Sequence, residues 1–221
     1  MLLYYITDRS QFSGDETSRR KELLGKIGEA AKSGANFIQL RERDLSTREL
    51  ASLAQEAVRV IRENTASPTR LLINSRTDVA IAAGVAGVHL RSVDISPKDV
   101  RAIWSRNSGS ATEPTIISVA CHTLKDVALA ARSGADFAIF GPIFEKQIKN
   151  TEVQIPAIEV VPTGLNLLRQ ACRENIPVIA LGGITSDNAG GCLEAGAAGI
   201  AAIRLFQENP IGQVVRRLRG D

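Results

Sequence analysis

The sequence predicts an α/β fold, a single (β/α)8 TIM barrel occupying residues 1–221 as one domain. Three observations carry that expectation. Short apolar runs alternate eight times with amphipathic stretches, as a parallel sheet covered by helices requires. Ser33-Gly34-Ala35-Asn36-Phe37 returns as Ser133-Gly134-Ala135-Asp136-Phe137, so a helix stop followed by a strand is used twice in near-identical form. No Gly-x-Gly-x-x-Gly follows the first apolar run, which weighs against an open dinucleotide-binding sheet.

Leu2 to Thr7 is expected as the first strand, closed by Asp8-Arg9, and Ser18 to Lys32 as a helix with Leu23, Leu24 and Ile27 on one face. Phe37 to Leu40 reads as a buried strand, and Arg41, Glu42, Arg43 and Asp44 emerge from its end. The helix Thr47 to Glu63 follows, then strand Arg70 to Ile73 ending in Asn74-Ser75-Arg76, and a short helix Thr77 to Ala83. Gly87 to Leu90 is the fourth strand, and Ser96-Pro97 opens the next helix with a cap and a first-turn proline. A polar loop from Arg106 to Thr112 is expected to be flexible. Thr115 to Val119 is the fifth strand, leading into Ala120-Cys121-His122-Thr123 and a helix to Arg132.

Phe137 to Phe140 is the sixth strand, and Gly141 to Pro156 is a long loop of the kind that forms lids. A helix from Val160 to Asn175 has an irregular start at Pro162 and Gly164. Strands seven and eight are Pro177 to Leu181 and Gly199 to Ile203, and Pro210 to Leu218 closes the chain as a helix. Between those last strands, Gly182-Gly183 precedes Thr185 and Asp187, which supply helix-capping chemistry. A Gly-Gly pair alone marks only a tight turn. Late among repeating β/α units, it also leaves backbone N–H groups bare where a barrel binds phosphate.

Composition narrows the function classes. The 44% hydrophobic and 23% charged content suits one domain with a substantial core, and a net charge of +3 with acids and bases interleaved describes a solvated surface. With 4% aromatic residues there are few stacking platforms, so no nucleic acid is expected as a partner. No membrane span or export signal is expected, and three cysteines without a Cys-x-x-Cys pair point to a reducing, cytoplasmic location.

Catalytic groups of a barrel sit at the C-terminal ends of its strands. There this chain places Asp8, Gln39, Arg41, Arg43, Asn74, Arg76, Asp94, His122, Glu145, Lys146, Lys149 and Arg204, in which cations outnumber acids. Guanidinium forks suit phosphate or carboxylate, so the mouth is expected to bind an anionic small molecule. His122 is the group best able to move a proton near neutral pH. His89 lies inside a strand and reads as core or as support behind the site, and Cys121 should face away from His122. Arg41 to Asp44 can equally form surface ion pairs, and Asp94 can equally cap the helix at Ser96.

Taken together, YYITDR, QLRERD, LINSRTDVA, GVHL with Asp94, SVACHT, SGADFAIFGPIFE with Lys149, and VIALGGITSDN with AGAAGIA resemble the thiamin phosphate synthase and TenI superfamily along nearly the whole chain. The resemblance implies a barrel that binds a thiazole phosphate, with the phosphate near Gly182, Gly183, Ile203 and Arg204, and with Gln39, Asn74 and Lys149 also on substrate. The synthase pattern expects Asn-Asp after strand three, and that Asp together with Asp94 would hold Mg²⁺. Here Ser75 stands at that position, Ala120 replaces a serine, and Lys146-Gln147-Ile148-Lys149 replaces Thr-x-Thr-Lys.

The TenI branch, known as thiazole tautomerases, is the better match. It implies His122 as acid and base, Arg41 or Arg43 on a substrate carboxylate, and no metal or other cofactor. The alternatives are a Mg²⁺-dependent thiamin phosphate synthase using Asp94, a silent barrel that binds or carries thiamin precursors, and a generic sugar-phosphate isomerase. A homodimer is the candidate assembly.

Overall fold

The computed structural model describes residues 1–64, 68–107, 114–145 and 161–220. Eight parallel strands close into a barrel in sequence order: β1 (Leu2–Ile6), β2 (Phe37–Leu40), β3 (Arg70–Asn74), β4 (Gly87–Leu90), β5 (Ile116–Cys121), β6 (Phe137–Phe140), β7 (Val178–Leu181) and β8 (Gly199–Ala202). Closure is the pairing of β1 with β8, from Leu2 opposite Gly199 to Tyr5 opposite Ala202. The expected (β/α)8 class is therefore the fold.

Helices fill the crossovers: α1 (Glu16–Lys32), α2 (Thr47–Asn64), α3 (Thr77–Ala82), α4 (Pro97–Asn107), α5 (Leu124–Arg132), α6 (Gly164–Ala171), α7 (Ala189–Glu194), α8 (Arg204–Gln207) and α9 (Ile211–Arg219). Asp15 caps α1 by accepting from the Ser18 N–H, and Thr123 with Asp126 forms a capping box on α5. The repeated Ser-Gly-Ala is one helix stop used twice. Gly34 and Gly134 take positive φ, and the next residue's N–H returns to Ala30 and Ala130 respectively.

Period-two alternation sorts the strand residues into two layers. Leu3, Tyr5, Ile38, Leu40, Ile73, Val88, Ile117 and Val119 face outward and pack under α1 to α5 with Leu23, Ile27, Leu53 and Ala57. Tyr4, Ile6, Phe37, Leu72, Ile139, Ile179 and Ala201 fill the interior. The Phe37 ring bridges Tyr4 and Phe137, with centroids 5.7 and 4.9 Å away. Both faces are covered, which is why the strands read as continuous apolar runs.

Most element ends fall within one or two residues of expectation, and three differences have a clear physical reason. Strand β5 continues to Cys121 and does not stop at Val119, because Cys121 still pairs with Phe140 and its thiol still has apolar neighbours to join. The helix expected from Val160 to Asn175 runs only from Gly164 to Ala171: Val160 lies outside the described residues, and Arg173 to Ile176 turn instead through i to i−3 and i−2 bonds. Helix α7 begins after Asn188, which exchanges hydrogen bonds with Thr185, whereas Asp187 is exposed and pairs with Arg217. Residues 108–113 of the polar loop and 146–160 of the long loop lie outside the described residues.

Leu72 is fully enclosed in the barrel interior, so L72A should cost roughly 2–5 kcal/mol. Thermal or urea unfolding should register that loss, against a change within about 0.5 kcal/mol for L129A on the exposed face of α5.

Candidate active site

The C-terminal ends of β1 and β2 are tied together by a buried cation. Arg9, only 5% exposed, donates from its backbone N–H and Nη1 to Glu42 Oε2 at 3.0 and 3.2 Å. Its Nη1 and Nη2 bind both oxygens of Asp44 at 2.7 and 2.9 Å, and Nε reaches Glu16 at 2.7 Å. Thr7 donates its hydroxyl to the other oxygen of the buried Glu42 and accepts from the Arg41 N–H. The Arg9 guanidinium draws the Asp44 carboxyl below the usual carboxylate range. Glu42 and Asp44 thus serve the scaffold.

What that scaffold presents is cationic. Among the described residues the guanidinium of Arg41 has no hydrogen bond or ion pair. Burial first, then the charge of Arg43, depresses its pKa, although an arginine stays protonated at any working pH. A desolvated cation beside a second cation gains from any anion that enters. A cavity of about 300 Å³ opens there, lined by Asp8, Ser10, Arg41, Glu42, Arg43 and Asp44.

Below the mouth the barrel floor is polar and joined by side-chain hydrogen bonds. Gln39 is 1% exposed; its Nε2 donates to Asn74 Oδ1 at 2.8 Å, and Asn74 Nδ2 donates to Ser75 Oγ at 3.2 Å. Ser75 in turn bonds the Asp94 carboxylate, which can only accept. The direction of every bond follows from that last one. It leaves Gln39 Oε1 as the one enclosed side-chain polar atom without a partner among the described residues. An orphaned acceptor of this kind costs about 1–3 kcal/mol, which a ligand donor would recover. A second chain joins Tyr4 Oη, Ser118 Oγ and His89 Nδ1, at 3.1 and 2.9 Å. Burial lowers His89 to about 4, so its ring is neutral.

The corner between β3 and β4 does not fit a carboxylate-caged Mg²⁺. Asp94 accepts from the Arg91 N–H at 2.8 Å and from its Nε and Nη2 at 3.1 and 2.8 Å, besides Ser75. Burial alone would raise its carboxyl, and the Arg91 and Ser75 hydrogen bonds outweigh that and hold it below the usual range. A hard cation at this position would find one carboxylate already committed to a guanidinium, with a hydroxyl where a second acid would be needed. No three His, Cys, Asp or Glu side chains gather as a metal site among the described residues. Asp94 does not cap the next helix; Ser96 does, exchanging bonds with Asp99.

His122 follows β5 in the inward phase of Ser118 and Ala120, whereas Cys121 is buried under the helices and its thiol is pushed up to about 12. The ring is held by Nδ1, 2.7 Å from the Gly141 carbonyl oxygen. A carbonyl only accepts, so Nδ1 carries a proton and Nε2 is the ring nitrogen at which a lone pair can be presented. Asp126 receives the His122 and Thr123 N–H groups at 2.9 Å each and brings a negative charge close to the imidazole.

The glycine turn after β7 is the tight turn expected. Gly182 has φ +100°, and a Cβ there would lie 2.5 Å from the Pro142 Cβ; at Gly183, with φ +63°, a Cβ would lie 2.5 Å from the Glu145 carbonyl oxygen. Only glycine lets the β6 and β7 loops approach so closely. The N–H groups of Gly183 and Ile184 have no acceptor among the described residues, and a cavity of about 200 Å³ extends from them to Thr185, Arg204, Leu205 and Asn209. Ile203 leads directly into α8 beside it. A cavity of about 460 Å³ lies at the other end of the barrel, by Arg70 and Trp104. It holds none of the expected site residues.

The expected set is therefore largely brought to one end of the barrel: Gln39, Arg41, Arg43, Asn74, Asp94, His122, Gly182, Gly183, Ile203 and Arg204. Arg76 is occupied by Asp78 and Thr47. Lys146 and Lys149 lie outside the described residues. Sequence reasoning passed over Arg9, Ser118 and Tyr4; the signal for Arg9 was an arginine directly after a strand, with two acids at the next strand's end.

Residues 3–206 match the family model described as thiamine monophosphate synthase, TMP-TENI. The chain belongs to that family. Among TMP-TENI relatives, it is 38% identical over 209 residues to a putative thiamine-phosphate synthase of Geobacter sulfurreducens, covering 94% of this chain and 87% of the other. It is 35% identical to putative thiamine-phosphate synthase 2 of Aquifex aeolicus, covering 93% and 97%. A solved thiamine phosphate pyrophosphorylase from Pyrococcus furiosus superposes with TM-score 0.77 at 27% identity, over 99% of this chain and 94% of that one. Homologues of this TMP-TENI chain are thus named as synthases, and no helix among the described residues is long and apolar enough to cross a membrane.

Glu42 is the buried carboxylate that accepts from the Thr7 hydroxyl, the Arg9 N–H and the Arg9 guanidinium, so E42A should destabilise the fold by roughly 3–5 kcal/mol. Urea unfolding of E42A beside D44A, whose carboxylate is largely solvated, separates the two: the D44A loss should stay near about 1 kcal/mol.

Proposed function

We propose that this TMP-TENI protein is a metal-independent thiazole tautomerase acting on a carboxythiazole phosphate. The observation that carries the reading is the His122 ring, fixed through Nδ1 to Gly141 with Nε2 unpartnered among the described residues, at the end of a barrel that also presents Arg41 and Arg43. Tautomerisation moves one proton and consumes none. Nε2 removes it from a saturated ring carbon, carries it as imidazolium beside Asp126, and returns it to the exocyclic carbon at the far end of the conjugated system, leaving the ring aromatic. Arg41 and Arg43 would take the substrate carboxylate, and the Gly183 and Ile184 N–H groups with Arg204 the phosphate. Gln39 Oε1 would accept a hydrogen bond from the ligand or from a water it carries.

A second reading, transfer of a pyrimidine from its pyrophosphate onto the thiazole phosphate, is favoured by the names of the relatives. It lacks support at Asp94 and Ser75, where the donors present do not suit paired-carboxylate Mg²⁺ binding.

Two assays on the purified protein separate these. Wild type should convert the exocyclic tautomer to the aromatic carboxythiazole phosphate in the presence of a chelator, followed by ¹H NMR, and H122A should be slower by roughly 10²–10⁴-fold. Release of pyrophosphate from the pyrimidine pyrophosphate with Mg²⁺, at a rate matching or exceeding tautomerisation, would assign the transferase instead.

A further inference from the structure

The second buried chain in the barrel floor has a fixed polarity. Tyr4 and Ser118 are fully enclosed, and the trio of Tyr4, Ser118 and His89 Nδ1 has no other side-chain partner among the described residues. Three arrangements of its protons are available. If His89 Nδ1–H donated to Ser118 and Ser118 to Tyr4, the phenol proton would be buried with no acceptor. If Tyr4 and His89 both donated to Ser118, the serine proton would be stranded. Only Tyr4 O–H to Ser118 Oγ and Ser118 O–H to His89 Nδ1 gives every donor an acceptor.

That arrangement makes Nδ1 an acceptor, so the neutral ring carries its proton on Nε2. Nε2 has no partner in the described structure and is not among the enclosed unpartnered atoms, so it opens on the remaining space above the floor. The charges that reach the ring are those of Asp94 and Arg41, both at the mouth. His89 in β4 and His122 just beyond β5 therefore offer opposite faces of imidazole chemistry on neighbouring strands of the barrel: a fixed N–H donor and a lone pair.

We propose that His89 is a second catalytic residue of this site, a neutral electrophile whose Nε2–H donates to the ring nitrogen of the bound heterocycle, with Ser118 and Tyr4 as positioning residues that hold its tautomer. This rests on the tautomerase reading above. When Nε2 of His122 removes the ring proton, the electron pair left behind is shared between that carbon, the ring carbon on the far side of the nitrogen and the exocyclic carbon. A donor to the in-plane lone pair of the nitrogen polarises the ring C=N bond and stabilises that anion without giving up its own proton, and reprotonation at the exocyclic carbon restores neutrality, so atoms and electrons balance. A cationic histidine would lose that proton to the intermediate. Burial keeps it neutral.

The test has an arm independent of turnover. With histidine labelled at both ring nitrogens, His89 should show the Nε2–H tautomer from pH 5.5 to 8.5, assigned by its absence in H89Q. Its Nε2–H signal should move on addition of carboxythiazole phosphate. S118A should shift the ring toward Nδ1–H. In turnover, H89A should lower kcat by about 10²-fold with little change in KM, the effect of removing one fixed donor. H89Q, whose amide places a donor near Nε2, should recover at least about tenfold of that loss, and H89N should not.

An Nδ1–H tautomer in wild type, an Nε2–H signal indifferent to the ligand, or full activity in H89A would each overturn the proposal. Wild type without tautomerase activity but with a ligand-responsive Nε2–H would overturn the reaction and leave His89 a binding donor only. If H89A fails to fold, the nitrogen spectrum of wild type and the H89Q and H89N pair still decide.

Discussion

The need to satisfy every polar group inside a closed barrel is the constraint on which the site depends. A barrel of eight strands has room in its interior for layers of side chains and no room for solvent around them. The lower layers here are apolar, from Tyr4 and Phe37 to Ile179. Above them the chain places Gln39, Asn74, His89 and Ser118, whose polar atoms must find one another. They do so in two chains, one ending on the Asp94 carboxylate and one starting at the Tyr4 phenol. Because the carboxylate can only accept and the phenol proton has no other acceptor among the described residues, the chains acquire direction, and their free ends become an acceptor at Gln39 and a donor at His89. Packing thus dictates what the floor offers a ligand.

The mouth is organised by a different economy of charge. Arg9 consumes the acids of the second strand end, and Arg91 consumes Asp94. Both pairings engage the acids with other arginines and leave the Arg41 guanidinium without a hydrogen bond or ion pair among the described residues. An acidic pair that would attract a metal and a cationic mouth that attracts a carboxylate are mutually exclusive uses of the same corner. Placing serine at position 75, in a left-handed backbone conformation with φ 61°, keeps the turn while removing the charge. Hydrogen-bonded to Asn74 and Asp94, Ser75 acts as a link between the floor and the rim.

The fold was legible in the sequence because periodicity reports burial, and here both faces of every strand are buried. The repeated Ser-Gly-Ala was legible for the same reason that it recurs: it is a helix stop with one hydrogen-bonding solution. Strand ends were less so. Cys121 remains in β5 because its partner strand is still there, which no local pattern encodes. Site residues emitted at strand ends could be gathered by topology alone, and His122, Arg41 and the glycine turn meet as expected. The division of Arg41 to Asp44 into structural acids and presented cations could not be read from the run itself. It depends on Arg9, 32 positions before Arg41, whose burial only the closed barrel produces. His89 was read as core or support; its neighbours Ser118 and Tyr4 come from distant strands, and their contact is a property of the barrel's cross-section.

The central claim is that a cationic mouth binds a phosphorylated heterocycle without a metal. Calorimetric titration of carboxythiazole phosphate into the purified protein, once with a chelator and once with millimolar Mg²⁺, tests it most directly. The account predicts one site per chain with the same affinity in both, weakened by roughly tenfold or more in R41Q. Binding that appears only when Mg²⁺ is present would contradict it.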